Sequence, residues 1–166
     1  MARRAFGALP FDPAGQPLGS VRDPMDKETL LANPIGFDAL LGLELLSCSE
    51  ELVTARLAVR DELLQPFGLV HGGVFASIAE TLASVGTAVV VIPEGNAAMG
   101  LSNQTSFTRP ITSGTIHARA MRRHRGRTTW IWDIEIADDD GRVCALTRMT
   151  IAVRPLPGGD AGTTPA

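Results

Sequence analysis

Two periodicities divide this chain. Val53, Ala55, Leu57 and Val59 alternate with Thr54, Arg56 and Ala58, the pattern of a half-buried strand over 52–59. Residues 43–48 supply a strand before it, and the polar stretch 47–51 supplies the turn between the two. Alternation returns over 97–108, closed by Arg109 and Pro110, and again over 115–124, 128–137 and 143–153. In the third of these, Trp130, Trp132, Ile134 and Ile136 share one face, which marks them as core. Asp138 to Gly141 is a strong hairpin turn.

A different pattern runs from Gly73 to about Val91. It is apolar nearly all round and rich in small residues, as in Ala76, Ala79, Ala83 and Ala88, and it ends at Pro93 to Gly95. A helix of that kind is buried on most sides, and other backbone can approach it closely. Short helices are expected over 26–32 and 36–41, with a turn at Asn33 and Pro34. The order is thus β–β–α–β–β–β–β. Short connections favour antiparallel pairing, and a curved antiparallel sheet wrapped around one long central helix is the economical α+β solution. Such a sheet leaves edges that pairing across a dimer would cover.

Residues 1–25 lack periodicity and read as a mobile arm, and 155–166 read as a flexible tail. The folded unit is therefore 27–154, which matches one ordinary domain in a chain of 166 residues. Hydrophobic residues make up 45% and charged residues 20%, enough for a core and too few charges for a disordered chain. The net charge of −3 argues against nucleic acid as a partner. Arg3 and Arg4 are followed by no uninterrupted apolar stretch, so no targeting segment is read. The run 74–92 is broken by Glu80 and several hydroxyls, so no membrane span is expected. Cys48 and Cys144 match no metal or redox spacing. Two buried reduced thiols fit a cytoplasmic protein.

The chemistry concentrates at residues 65–84. Gly72 and Gly73 lie where a loop becomes the long helix. Glycine there lets a ligand reach backbone N–H groups that have no helical partner, and the helix dipole adds partial positive charge. That suits a polarised carbonyl or an oxyanion. Glu80 is the only acid in the helix, and Ser84 is one turn on along the same face. Each feature alone has an ordinary structural explanation, such as a tight turn, a solvated acid or close packing. Together they are complementary halves of an acyl-transfer site.

His71, Gly72 and Gly73, with Glu80 seven residues beyond the second glycine, resemble the hotdog-fold acyl-CoA thioesterases. Further matches are Asn103 to Pro110, Gly114, Gly126 to Trp130 and Asp140 to Arg142. The likeness is to the 4-hydroxybenzoyl-CoA thioesterases of the Arthrobacter type, grouped with the phenylacetate-pathway (PaaI-like) enzymes, and it spans about 34–154. It implies hydrolysis of an aromatic acyl-CoA. Gly72 would donate its N–H to the thioester carbonyl, and Glu80 would act as nucleophile or general base. Gln65 would assist at the thioester or the water, and Ser84 would orient the water. His71, Gly73, Arg109, Arg127, Thr128 and Thr129 would contact substrate or its CoA.

Arg127 stands where close relatives have serine, and their basic residues after Arg-Pro are absent here. Arg122, Arg123 and Arg125 are then alternative sources of charge for the CoA phosphates. No cofactor or metal is implied, since CoA is part of the substrate. Hotdog sites form between subunits, so a dimer at least, and a tetramer of two dimers, is expected. Gln65 and Gly72 would then face Glu80 of the neighbouring chain. In a simple antiparallel run Arg109 and Arg127 lie at opposite rims, so only neighbouring subunits would bring them to one CoA. A non-hydrolytic acyl-CoA sensor on the same fold is the alternative, against which an isolated acid speaks. A hydratase is weaker still, because Val85 stands five residues beyond Glu80, where a hydratase would carry histidine after an aspartate. The acyl pocket is expected beside Phe67, Phe75 and the helix.

Overall fold

The computed structural model describes residues 36–156. The arm, the 26–32 helix with its turn, and the tail beyond Leu156 lie outside the described residues. The elements are α1 (Gly36–Leu41), β1 (Glu44–Cys48), β2 (Leu52–Ala58), a single 3-10 turn (Asp61–Leu63), α2 (Gly72–Val91), β3 (Asn96–Phe107), β4 (Thr115–Arg125), β5 (Thr129–Ala137) and β6 (Val143–Pro155). Each expected element in this range is present, with ends moved by one or two residues. Pro155 closes β6, and the Leu156 N–H donates to the Gly95 carbonyl.

All pairings are antiparallel, in the order β1-β2-β4-β5-β6-β3. A simple sequential run is therefore not what forms. Instead of pairing with β4, β3 pairs with β6 along its whole length. The segment 108–114 passes the start of α2 on its way from β3 at the sheet edge to β4 beside β2. Ile111 is buried there, and its carbonyl accepts from the Val70 N–H.

The sheet curves over α2, as the resemblance implies. Val74, Phe75, Ile78, Ala79, Leu82, Ala83, Gly86, Thr87 and Val91 form the buried side of the helix. Trp130, Trp132, Ile134 and Ile136 come down onto it from β5. The fit is close at Gly86, where an added Cβ would stand 2.6 Å from Trp132 Cη2. Trp132 Nε1 donates to Thr87 Oγ1 at 3.0 Å, and that hydroxyl donates to the Ala83 carbonyl at 2.8 Å. The one polar side chain at this buried contact is thereby satisfied, which removes the cost of burying it.

The helix is nevertheless not enclosed on all sides, contrary to its apolar composition. Glu80 is exposed, and Ala76, Ser77, Ser84, Val85 and Ala88 are only half-buried. The sheet covers one side, where Ala79, Ala83 and Gly86 are buried, and Ala76, Ser77, Ser84 and Ala88 lie along the other. By length and composition α2 passes for a membrane span, but half of it is buried inside the fold, as in a core helix.

The two sheet edges differ. β1 has five residues and a bulge between Leu45 and Ser47. β3 has twelve, no proline or charge, and exposes Met99, Leu101 (62%) and Phe107 (58%). A long apolar edge of this kind is a template for strand pairing. Cys48 and Cys144 are buried and form no disulfide among the described residues, and burial pushes the Cys144 thiol up in pKa. A thiol in that state is a poor nucleophile.

Candidate active site

The loop into α2 is pinned up to the last residue before the helix. The Val70 N–H donates to the Ile111 carbonyl and the His71 N–H to the Leu63 carbonyl. His71 then caps the helix: its Nδ1 accepts from the Gly73 N–H at 2.9 Å, and its carbonyl accepts from the Val74 N–H. Between these satisfied donors stands the Gly72 N–H, which has no hydrogen-bond partner among the described residues. It is the first donor of a twenty-residue helix and carries the positive end of its dipole. The Gly73 N–H is thus taken up by His71 Nδ1, and Gly72 keeps its donor for a ligand.

A cleft of about 540 Å³ opens at this donor, lined by Gln65, Gly72, Phe75, Phe107, Arg109 and neighbouring residues. Phe107 lies against Gly72, where a Cβ would meet ring atom Cζ at 2.8 Å. Its ring centroid is 6.2 Å from that of Phe75, with the planes tilted by 37°. Phe67, expected to line the acyl pocket, is instead 86% exposed on the loop. It stands in a tight turn closed by the Gly68 N–H on the Gln65 carbonyl, in which Gly68 takes a positive φ. Phe107 takes the place beside Phe75. The signal for it is an aromatic residue on the last helix-facing position of a strand, just before Thr108, Arg109 and Pro110.

Glu80 lies elsewhere in the same chain. It is eight residues from Gly72 along α2, about 12 Å by helical rise. Its carboxylate faces a separate groove of about 210 Å³ with Gly100, Leu101, Ser102, Asn103 and Met149. Neither this carboxylate nor the Ser84 hydroxyl is hydrogen-bonded among the described residues, which leaves both available. Between the groove and the cleft, Asn103 Nδ2 donates to the Ala76 carbonyl at 2.9 Å and bridges strand to helix. Thr105 Oγ1 in turn donates to Asn103 Oδ1 at 2.7 Å and holds that amide.

The arginines separate into two groups. Arg122 and Arg125 pair with Glu50, and Arg125 also with Glu94. Both guanidinium groups also stack on Trp130, 5.1 and 5.2 Å from its ring centroid. Arg123 pairs with Asp133. Asp133 also receives Arg148, and the two arginines hold its carboxyl below the usual range, Arg148 foremost. Arg109 and Arg127 are exposed and have no acidic partner among the described residues. They lie at opposite rims. The Arg109 N–H bonds to the Cys144 carbonyl at one end of β6, and the Thr128 carbonyl accepts from the Val153 N–H near the other. Nine residues of strand put about 30 Å between those two points. A second cleft, of about 430 Å³, runs beside Arg127, Thr128 and Trp130. Thr129 begins β5 there, its carbonyl accepting from the Gly126 N–H.

The profile of the thioesterase superfamily matches residues 67–145, from the loop before His71 to β6. A thioesterase of Pseudomonas aeruginosa, known from the crystal structure of a mutant, is 36% identical; the likeness covers 72% of this chain and 86% of that one, with a TM-score of 0.69. The proofreading thioesterase EntH of Cronobacter turicensis is 33% identical over 78% of this chain and 94% of its own. A 1,4-dihydroxy-2-naphthoyl-CoA hydrolase of Listeria monocytogenes is 32% identical over 72% of this chain and 97% of its own.

The chain belongs to the thioesterase superfamily. Its sheet wrapped over one helix is the hotdog fold of these proteins, and membership makes it a thioester hydrolase. In a thioesterase a free helix-start N–H and an available carboxylate have complementary tasks, one at the carbonyl oxygen and one at the attacking nucleophile. Within this chain they stand too far apart to share one thioester.

Proposed function

We propose that this thioesterase hydrolyses the CoA ester of an aromatic acid, in the manner of the 4-hydroxybenzoyl-CoA and PaaI-like enzymes, at a site shared by two subunits. The observation that carries the reading is the unpaired Gly72 N–H opening into a cleft walled by two phenylalanine rings. Aromatic rings pack against a flat acyl group with ring geometry as well as buried area. The substrate of the Listeria relative, 1,4-dihydroxy-2-naphthoyl-CoA, is itself an aromatic acyl-CoA.

The sharing follows from level along the helix. Gly72 lies beside Phe107, Glu80 beside Gly100, and the Asn103–Ala76 bridge stands midway between them. A twofold axis through the bridge, with β3 pairing to its own copy, would carry the partner's Glu80 to this chain's Gly72. It would also cover the exposed edge of β3, and two such dimers would make the tetramer.

In the simplest route, Glu80 takes a proton from a water oriented by Ser84, and the water oxygen attacks the thioester carbon. The oxyanion forms against the Gly72 N–H, with Gln65 beside it. The C–S bond then breaks, and the sulfur leaves as the CoA thiol with the proton held by Glu80. In the alternative route the carboxylate itself attacks, the C–S bond breaks with CoA leaving as its thiolate, and water hydrolyses the resulting anhydride to the free acid and the Glu80 carboxylate, the proton released going to the thiolate. The test is thiol release from benzoyl-, 4-hydroxybenzoyl-, phenylacetyl- and hexanoyl-CoA. An acyl-CoA sensor would bind these and release nothing, and faster release from the aliphatic ester would remove the aromatic assignment.

Arg109 of one subunit and Arg127 of its partner, both exposed and without an acidic partner among the described residues, would hold the CoA phosphates, and bidentate contacts suit both diphosphate and 3′-phosphate. Replacing either by Ala is expected to weaken CoA-ester binding about tenfold, as for one charged hydrogen bond at an exposed site. On the matching acyl-pantetheine, which lacks the nucleotide, the variants should equal the wild type. Equal losses on both substrates would assign the arginines to the fold or the dimer.

A further inference from the structure

We propose that Gly100 is a positioning residue: its missing side chain is the seat on which the Glu80 carboxylate rests. The proposal builds on the reading of Glu80 as the catalytic carboxylate. Gly100 stands on the helix-facing side of β3, opposite Ile151 of β6. A Cβ there would lie 2.9 Å from Glu80 Oε1, 3.5 Å from Cδ and 3.8 Å from Cγ, so the carboxylate and its stem lie over the bare Cα.

The backbone does not demand glycine at this place. The left-handed φ values belong to Gly36, Gly42, Gly68, Gly95, Gly114 and Gly141, and Gly100 is not among them. Glycine inside a strand is unfavourable for the strand itself, and it marks close approach by another group. The register of β3 also shifts between Gly100 and Ser102, the level at which Glu80 arrives. Bulges of this kind re-aim chain beside active sites.

The helix has no room to retreat. Asn103 holds the Ala76 carbonyl, which is the one that accepts from the Glu80 N–H in an α-helix. Strand and helix are thus tied one turn from the carboxylate. A methyl group on residue 100 would move the carboxylate and leave the backbone where it is. The displaced atoms are the far end of an exposed side chain, so the fold should hardly register the change.

The experiment measures thiol release and melting temperature for Gly100→Ala, for Glu80→Asp, and for the two combined in the full-length protein. Gly100→Ala is expected to keep its melting temperature and KM, and to lose kcat by about tenfold to a hundredfold, as for a reacting group misplaced by about 1 Å. The shorter acid of Glu80→Asp does not reach the methyl, so adding Gly100→Ala to it should cost at most about twofold more, a strong departure from additivity. Wild-type kcat in Gly100→Ala overturns the proposal. So does an equal fold-loss in both backgrounds, or a fall explained by lost folded protein. If Glu80→Gln itself turns over like wild type, the parent reading falls instead.

Discussion

Glu80→Gln is expected to lower kcat by about 10²–10⁴, the range for a general acid or base, and by more if the carboxylate is the nucleophile. The amide fills the same space, and the carboxylate makes no hydrogen bond or ion pair among the described residues. Its replacement therefore removes chemistry without unsettling the helix. The melting temperature and the affinity for acyl-CoA should stay near wild type, and titration with a slowly hydrolysed ester would measure the affinity. Turnover within a few-fold of wild type would take Glu80 out of the mechanism.

The second large effect is a recovery. Gly72→Val should be inactive, because its side chain would run into Phe107 at the carbonyl-polarising donor. When Gly72→Val and Glu80→Gln subunits are unfolded and refolded together, each mixed dimer holds one site built from two intact halves. Random pairing should restore about a quarter of the wild-type activity from two nearly dead proteins. A site contained within one chain would give no recovery, since each chain then carries a lesion in its own site. Light scattering on the same samples checks that a dimer is present, and an active monomer would contradict the shared site outright.

Local patterns carried most of the fold because they report local physics. The alternation over 128–137 separated the buried Trp130, Trp132, Ile134 and Ile136 from the other face, and all four are core. The glycine pair marked the start of α2, and the only acid in that helix marked the candidate carboxylate. What the chain did not disclose was non-local. β3 pairs with β6 and not with β4, and the crossover between β3 and β4 buries Ile111 beside the start of α2, which no alternation records. The apolar helix looked enclosed because small residues signal close packing without saying which neighbour packs, and Glu80 stands on the side this chain leaves open. The acidic partners of Arg122, Arg123 and Arg125 come from β1–β2, the end of α2 and β5, so the basic run gave no hint that three of its members are already engaged. Phe107 and Gly100 were legible as residue types in unusual places, an aromatic at a strand end and a glycine within a strand. Their meaning came only from the helix lying opposite.

The placement of the two indoles has a practical consequence. The chain contains no tyrosine and two tryptophans, both on β5, the strand between β4 and β6. Both are almost wholly shielded from water, one bonded to Thr87 and the other beneath two guanidinium groups. Intrinsic ultraviolet emission therefore comes from the middle of the sheet alone, without a tyrosine background. It should shift to the red in a single step when β5 is wetted. Neither indole borders the cleft at Gly72 or the groove at Glu80, but Trp130 lines the cleft beside Arg127, so the emission is recorded before substrate is added. Spectral integrity and turnover can thus be followed in one cuvette, and a variant silent in the first and crippled in the second has lost its chemistry with its sheet intact.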